Sequence, residues 1–197
     1  EGQHMNVKMI AASTALAGAL GALIAAPAAA QTATTELSGG YQFTRTPDLN
    51  LPLGWYVDVS GNVAPMFAIV GEVSGAYKSE TVPVGTSSID ETVRLHTFMG
   101  GVRVAARANP KVAPFGQVLL GAARLGGGVT ASGPAVSVIA ETDSDTEFAL
   151  QIGGGVNVMT SGHFGVRLGA DYRRIFISGG GENEFRLVAG VVIPVGK

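Results

Sequence analysis

Charged and amide side chains recur at every second position of several stretches, and this spacing indicates the chemistry that they could do. In the run HFGVRLGADYRR, residues 163–174, Arg167, Asp171 and Arg173 alternate with Val166 and further apolar residues. Successive side chains of a β-strand point to opposite faces, so the run predicts a strand with one polar and one apolar face. The residues predicted to share the polar face across the chain are Asp58, Glu72, Arg103, Gln151, Asn157, Arg167, Asp171, Arg173 and Arg186.

These polar residues have two interpretations if their faces line the inside of a narrow barrel. The interior of an eight-stranded barrel is filled by side chains, and charges there must pair or they cost several kcal/mol each. The pattern therefore predicts an internal network of salt bridges and hydrogen bonds. A gated ion path along the same residues is the alternative.

Catalytic chemistry has little support in the sequence. His96 and His163 are the histidines outside the N-terminal segment, and neither has a serine and a carboxylate at motif spacing. Nucleophilic catalysis needs such a set within hydrogen-bonding reach. We therefore predict no catalytic residue and no enzyme.

A group of alternating acidic residues could supply oxygen ligands to Ca²⁺. It lacks the central glycine and the closing glutamate of a calcium-binding loop, so a solvated loop is the better interpretation. We accordingly predict no metal site and no cofactor. The residues of this group are Glu141, Asp143, Asp145 and Glu147.

The composition is apolar but contains no long apolar run after residue 30. Hydrophobic residues make up 46% and charged residues 14% of the 197 residues, and the mean hydropathy is +0.32. An average soluble domain has roughly 25% charged residues. The net charge is −2, no basic patch is present and cysteine is absent. These values argue against nucleic acid as a partner and exclude disulfides.

The N-terminal segment has the organisation of a secretory leader. Residues 1–4 precede the first methionine and are interpreted as an expression remnant, residues 5–8 are a short basic region, and residues 9–26 are apolar. Pro27 and the alanines at 28–30 complete a typical cleavage site. We expect residues 1–30 to be this remnant plus a cleavable signal peptide, and residues 31–197 to form one exported domain.

The exported part reads as eight alternating strands. Connections predicted to be long, at residues 46–52, 79–90, 126–145 and 175–183, alternate with short turns. The pattern predicts an all-β fold, an eight-stranded antiparallel up-and-down transmembrane β-barrel with four external loops. A soluble exported sandwich or barrel is the alternative. The period of the fourth predicted strand, residues 92–107, is irregular, and we expect a bulge near His96.

Aromatic residues lie at the ends of these strands, as they do at the two lipid–water interfaces of membrane barrels. A soluble sandwich would bury them in mid-strand. The predicted girdle beside the long loops is Tyr41, Phe43, Trp55, Tyr77, Phe148, Tyr172 and Phe185, and the girdle beside the short turns is Phe67, Phe115 and Phe164.

Six stretches carry a family resemblance: ELSGGYQFTR, HTFMGGVRVAAR, APFGQVLLGAA, GGGVNV, GVRLGADYRR and FRLVAGVVIPVG. On these runs the chain resembles the small outer-membrane β-barrel proteins of Gram-negative bacteria, which include the OmpA-like transmembrane domain and opacity-type surface antigens. The resemblance covers about residues 35–197 and implies a location in the bacterial outer membrane.

We expect a non-enzymatic barrel with a structural or surface-recognition role through its external loops, because loops on a rigid scaffold usually carry binding. The expected partners are outer-membrane lipids and lipopolysaccharide, together with an extracellular ligand at the loops, and the expected state is a monomer. A small porin-like channel and a lipid A-modifying enzyme are the alternatives.

Overall fold

The computed structural model describes residues 35–47, 49–84, 87–106, 109, 111–132, 137–160, 163–177 and 179–196, and the predicted leader lies outside these ranges. The described chain is built from β-strands, and it includes no helix long and apolar enough to cross a membrane. The strands are β1 (Thr35–Arg45), β2 (Asn50–Leu51), β3 (Leu53–Asn62), β4 (Phe67–Val84), β5 (Ser87–Ala105), β6 (Val112–Ser132), β7 (Ser137–Met159), β8 (Gly165–Phe176) and β9 (Glu182–Val195).

Eight of these strands close a barrel. Each long strand pairs antiparallel with its sequence neighbour, and β9 pairs with β1 from Thr35↔Val195 to Arg45↔Phe185. The two-residue strand β2 pairs only with the end of β1, at Thr44↔Leu51 and Arg45↔Asn50. Closure gives every long strand two partners, which satisfies the backbone groups that hydrocarbon cannot. The predicted eight-stranded antiparallel up-and-down barrel is confirmed.

Side chains alternate between the lumen and the outer surface. Along β8 the buried residues alternate with exposed ones, so that Arg167 lies inside while Val166 and Leu168 lie outside. Exposed large hydrophobic residues cover the outer wall of all eight strands. Such a surface is stable against lipid, because each outward side chain there meets hydrocarbon.

Two of the predicted long loops are wrong, because most of their residues belong to strands. Pairing of β4 with β5 continues to Val84↔Ser87, and pairing of β6 with β7 continues to Ser132↔Ser137. The described residues of 79–90 and 126–145 therefore belong to two β-hairpins, which extend beyond the ends of β3 and β8. Apolar and polar residues do not alternate regularly in these ranges, so the period that marks a half-buried strand is missing there.

The expected bulge near His96 is also wrong. The pairing of β5 with both neighbours runs through His96 without interruption. Leu95 is buried and faces the lumen on the same parity as Arg103. The hydrophobic period of β5 is irregular because its inward residues are apolar near Leu95, at the hairpin end of the lumen, and charged at Arg103, further along. The register shift occurs elsewhere, between Leu125 and Gly127 of β6 against β7.

Inward-facing glycines let neighbouring backbones approach closely. A Cβ added to Gly153 of β7 would collide with the carboxylate of Asp171 and would lie 2.6 Å from the carbonyl oxygen of Ala170. The space next to Gly153 is therefore already occupied by Asp171, a member of the predicted polar network. Glycine at this position makes room for an ionic side chain on the adjacent strand.

Replacing Gly153 with alanine should therefore destabilise the barrel by about 1–3 kcal/mol, the usual cost of forcing atoms into a filled interior. Urea unfolding in detergent micelles measures the change. Gly116→Ala is the matched control, because its added Cβ would meet only Gly153 O, at 3.8 Å. Equal stability of the two variants would contradict the packing assigned to Gly153.

Candidate functional site

The lumen near the short-turn end is organised around Asp58 of β3. Its carboxylate accepts hydrogen bonds from Arg103 Nη1 at 3.3 Å and Arg167 Nη1 at 2.5 Å, and from Ser38 Oγ at 2.7 Å. Arg167 also donates from Nε to Asn157 Oδ1 at 2.8 Å. Arg103, Asp58 and Arg167 are each about 1–2% exposed. Two arginines thus share one carboxylate, a geometry that holds their like charges together through the acid between them.

Phe115 lies inside the barrel, so its predicted place in the short-turn girdle is wrong. Its side chain is buried, and the guanidinium carbons of Arg103 and Arg167 lie 4.7 and 5.0 Å from its ring centroid. The ring supplies a polarisable wall to two cations that have no bulk water. Phe115 and Gln117 lie on the same face of β6, and Gln117 is the one polar side chain between Val112 and Ala123. This shared parity is the feature of the sequence that could have placed Phe115 inside the barrel.

The middle part of the lumen is organised around Arg186 of β9. Its Nη1 and Nη2 donate to the two carboxylate oxygens of Glu72 at 2.7 and 2.9 Å, and its Nε and Nη2 donate to Asp171 Oδ2 at 3.1 and 2.7 Å. Nη1 also donates to Gln42 Oε1 at 3.0 Å. The guanidinium donors therefore meet three acceptors from three other strands, which satisfies the charge without water.

Arg173 of β8 lies closer to the hairpin end and is fully buried. It donates from Nε and Nη2 to Gln151 Oε1 at 3.0 and 2.7 Å, and from Nη1 to Glu184 Oε2 at 3.2 Å. A looser ion pair joins its Nη2 to Glu72 Oε1 at 3.7 Å. Glu184 is absent from the predicted polar face, although it has the same parity as Arg186.

The separate clusters form one connected network. Gln117 joins the two ends, because its Nε2 donates to Asp171 Oδ1 at 3.0 Å while its Oε1 accepts from Arg103 at 2.8 Å. Four arginines and four carboxylates are fully buried in the described lumen. Their charges cancel, which a closed interior of low dielectric constant requires. The structure thus brings together all nine residues of the predicted polar face. It adds Glu184, Gln117, Gln42 and Ser38, and also the half-buried Glu36, whose Oε2 lies 3.5 Å from Arg167 Nη2.

Very little space remains among these side chains. A cavity of about 10 Å³ is enclosed by residues that include Arg103, Phe115 and Arg186. That volume accommodates about one water molecule. Towards the hairpin end an apolar cluster replaces the ions, and Leu51 of β2, Leu95 and Leu119 are among its buried members. Among the described residues, the lumen thus contains the ionic network and, towards the hairpins, this apolar cluster.

The remaining predicted girdle residues lie on the outer wall. Phe43 and Tyr77 are half-buried there, and the others are exposed. Tyr77 has a polar role beyond packing, because its hydroxyl accepts from Trp55 Nε1 at 3.1 Å and is bonded to His96 Nε2 at 3.0 Å. His96 is thus held on the outer surface by a phenol. Two outward aromatics that the prediction omitted are Phe98 and Phe176.

A closed antiparallel barrel with an apolar outer wall and an ionic lumen defines the class of membrane-spanning β-barrels. The sequence matches the family described as "Outer membrane protein beta-barrel domain" over residues 15–191. The chain belongs to this family, and it is a protein of the bacterial outer membrane. A comparison with curated protein sequences found no match.

Solved structures share the fold at low sequence identity. Ail, the attachment invasion locus protein of Yersinia pestis, is 17% identical with a TM-score of 0.50, and the match covers 82% of this chain and 99% of that chain. Neisserial surface protein A is 10% identical with a TM-score of 0.53, covering 82% and 96%. A major outer membrane protein from Thermus thermophilus is 12% identical with a TM-score of 0.55, covering 84% and 100%. At these identities the similarity concerns the fold alone.

The adjacent arginines of β8 provide a direct test of the lumen network. Arg173→Ala should lower the free energy of unfolding by about 3–5 kcal/mol, because it leaves the buried carboxylate of Glu184 without its partner. Arg174→Ala is the control, since Arg174 is exposed and should contribute about 0–1 kcal/mol. The free energies of unfolding of both variants are measured by urea unfolding in lipid vesicles, with the folded fraction read from heat-modifiable gel mobility.

Adding Glu184→Gln to Arg173→Ala should restore part of the lost stability, because the amide has no charge to compensate. A loss that is the same for Arg173→Ala and Arg174→Ala, or a double variant less stable than the single one, would contradict the assigned ion pair.

Proposed function

We propose that this protein is a non-enzymatic outer-membrane scaffold that presents the β4–β5 and β6–β7 hairpins for recognition at the cell surface. The observation that carries the proposal is the contrast between a filled lumen and two hairpins that extend past their neighbouring strands. Residues on a rigid scaffold can bind a partner without first being ordered. The four strands β4–β7 are 18–23 residues long, against 10–14 for the other barrel strands.

The filled lumen is the reason to place channel activity second. An ion that crossed would have to displace the pairs formed by Arg186 with Glu72 and Asp171, and then the apolar cluster around Leu95 and Leu119. Breaking a buried charge pair costs about 3–5 kcal/mol, and apolar constrictions exclude ions by remaining dry.

The purified barrel should therefore produce no discrete conductance steps in planar lipid bilayers. A large-pore porin tested in the same bilayers shows that insertion and recording work. Discrete steps from the wild-type protein that change in size with Glu72→Gln would establish the channel interpretation instead.

The enzymatic alternative, lipid A modification, has less support from the outer wall. Histidine-dependent hydrolysis needs a carboxylate to orient the imidazole and a nucleophile beside it. His96 is bonded instead to the Tyr77 hydroxyl, which is held in turn by Trp55. His163 lies outside the strands, just before β8.

Surface display of the hairpins can be tested with single cysteines, since the chain contains none. Val82→Cys places a thiol on β4 within the first hairpin, where Val82 is exposed. Met66→Cys places one in the short turn between β3 and β4, where Met66 is also exposed. A membrane-impermeant maleimide should label Val82→Cys on intact cells and Met66→Cys only after the cells are broken.

The two variants have the same expected folding and chemistry, so a difference in labelling reports only the side of the membrane. Labelling of Met66→Cys but not of Val82→Cys on intact cells would place the hairpins in the periplasm and would contradict the proposal.

A further inference from the structure

A groove crosses the outer wall where the two hairpins leave the barrel. It has a volume of about 410 Å³, and its lining residues come from β5, β6 and β7. They are Arg94, His96, Phe98, Arg124, Gly126, Gly127 and Ser144. Gly126 lies opposite Arg94 in the β5–β6 ladder, and a Cβ there would meet only Ser144 Cβ, at 3.7 Å. The groove therefore exists because a glycine stands between two long cationic side chains.

The side chains that line the groove carry positive charge. Arg124 lies opposite His96, and Arg94 occupies the diagonal position next to Arg124. Both arginines are exposed. Arg124 is held in place by hydrogen bonds from Nε and Nη2 to Ser144 Oγ, at 2.9 and 2.6 Å. Diagonal neighbours of an antiparallel pair are within reach of long side chains, so the two guanidinium groups can act on one anion.

Two described carboxylates near the groove, Asp90 and Asp145, either accept a hydrogen bond from another side chain or lie on the opposite face of the sheet. Asp90 lies further along β5 towards the hairpin tip, and its Oδ1 accepts a hydrogen bond from Thr81 at 2.5 Å. Asp145 is paired with Leu125, which has the inward parity of β6. Strand parity therefore places Asp145 on the face opposite to the groove. Like charges on adjacent strands repel each other, and an anion between them would remove that cost.

The level of the groove along the membrane normal indicates which kind of anion it would meet. Phe98 lies directly below His96 on β5, and Ala122, the outward residue below Arg124, is paired with Phe148. Phe98 and Phe148 are exposed and belong to the apolar outer wall. Aromatic rings at strand ends mark the lipid–water interface. Towards the hairpins, Arg124 lies one outward position and Arg94 two outward positions beyond the level of Phe98 and Phe148. That level is occupied by lipid headgroups.

We propose that this groove binds the phosphate group of an outer-leaflet glycolipid, with Arg94 and Arg124 as the phosphate ligands and Phe98 against its acyl chains. Arginine suits this task, because its planar donors match phosphate oxygens and it is less strongly hydrated than lysine. The inference rests on the outward orientation of the hairpins in the proposed function, and it is independent of what the hairpins recognise.

The test is an equilibrium titration of the purified full-length barrel in neutral detergent, with bound lipid counted by native mass spectrometry. The probes are diphosphoryl lipid A and the same lipid after removal of its phosphates. The variants are Arg94→Gln/Arg124→Gln and the control Arg174→Gln, which removes an exposed charge from β8 outside the groove. Heat-modifiable mobility shows that each variant is folded.

The double variant should bind diphosphoryl lipid A at least about tenfold more weakly than wild type, since it loses charge-assisted hydrogen bonds. Arg174→Gln should stay within about twofold of wild type. Wild type should also bind the dephosphorylated lipid at least about tenfold more weakly.

Three results would overturn the proposal. The first is equal binding of diphosphoryl lipid A by wild type and the double variant, and the second is equal binding of the two lipids by wild type. The third is displacement of the lipid by an equal concentration of inorganic phosphate, which would make the groove a site for free anions. Cysteine labelling reads the orientation of the hairpins and the lipid titration reads the groove, so a failure of one proposal is distinguishable from a failure of the other.

Discussion

The constraint on which this structure depends is the closure of the sheet into a narrow, sealed cylinder. Side chains that face inward have neither hydrocarbon nor bulk water beside them, so they must satisfy one another. The lumen meets this requirement with four arginines and four carboxylates whose charges cancel. The amides of Gln117 and Gln151 take up guanidinium donors that the carboxylates leave over. A single unpaired ion here would cost a large part of the net stability of a barrel of this size.

The same closure decides where the protein can interact with other molecules. Because ion pairs and apolar side chains occupy the described lumen, the exposed surface of the described residues lies on the outer wall and at the ends of the barrel. The outer wall is apolar between the two interfaces, and its polar chemistry is concentrated near the hairpin end, in the Trp55–Tyr77–His96 bonds and in the Arg94–Arg124 groove. This arrangement separates two regions, an ionic lumen inside the barrel and a polar rim on its outer wall near the hairpins.

Strand parity is what made the fold and much of the lumen predictable. Arg167, Asp171 and Arg173 alternate with apolar residues, and a period of two can be read without a structure. Where a strand has no apolar face, the parity of its residues does not distinguish it from a loop. The hairpin residues at 79–90 and 126–145 lack a regular alternation of apolar and polar side chains, so they resembled loops. Phe115 has the aromatic character of a girdle residue, and only its parity with Gln117 could have placed it inside.

By itself, the sequence determined the number of barrel strands, their order and the side of each strand that carries charge, because these follow from local alternation and connection length. Only the tertiary structure decided which charges meet. Arg186 bonds Glu72, which is 114 residues away along the chain, and Arg167 bonds Ser38, which is 129 residues away. Those partners depend on the stagger between strands around the closed sheet, a property of all eight strands together that no single stretch encodes.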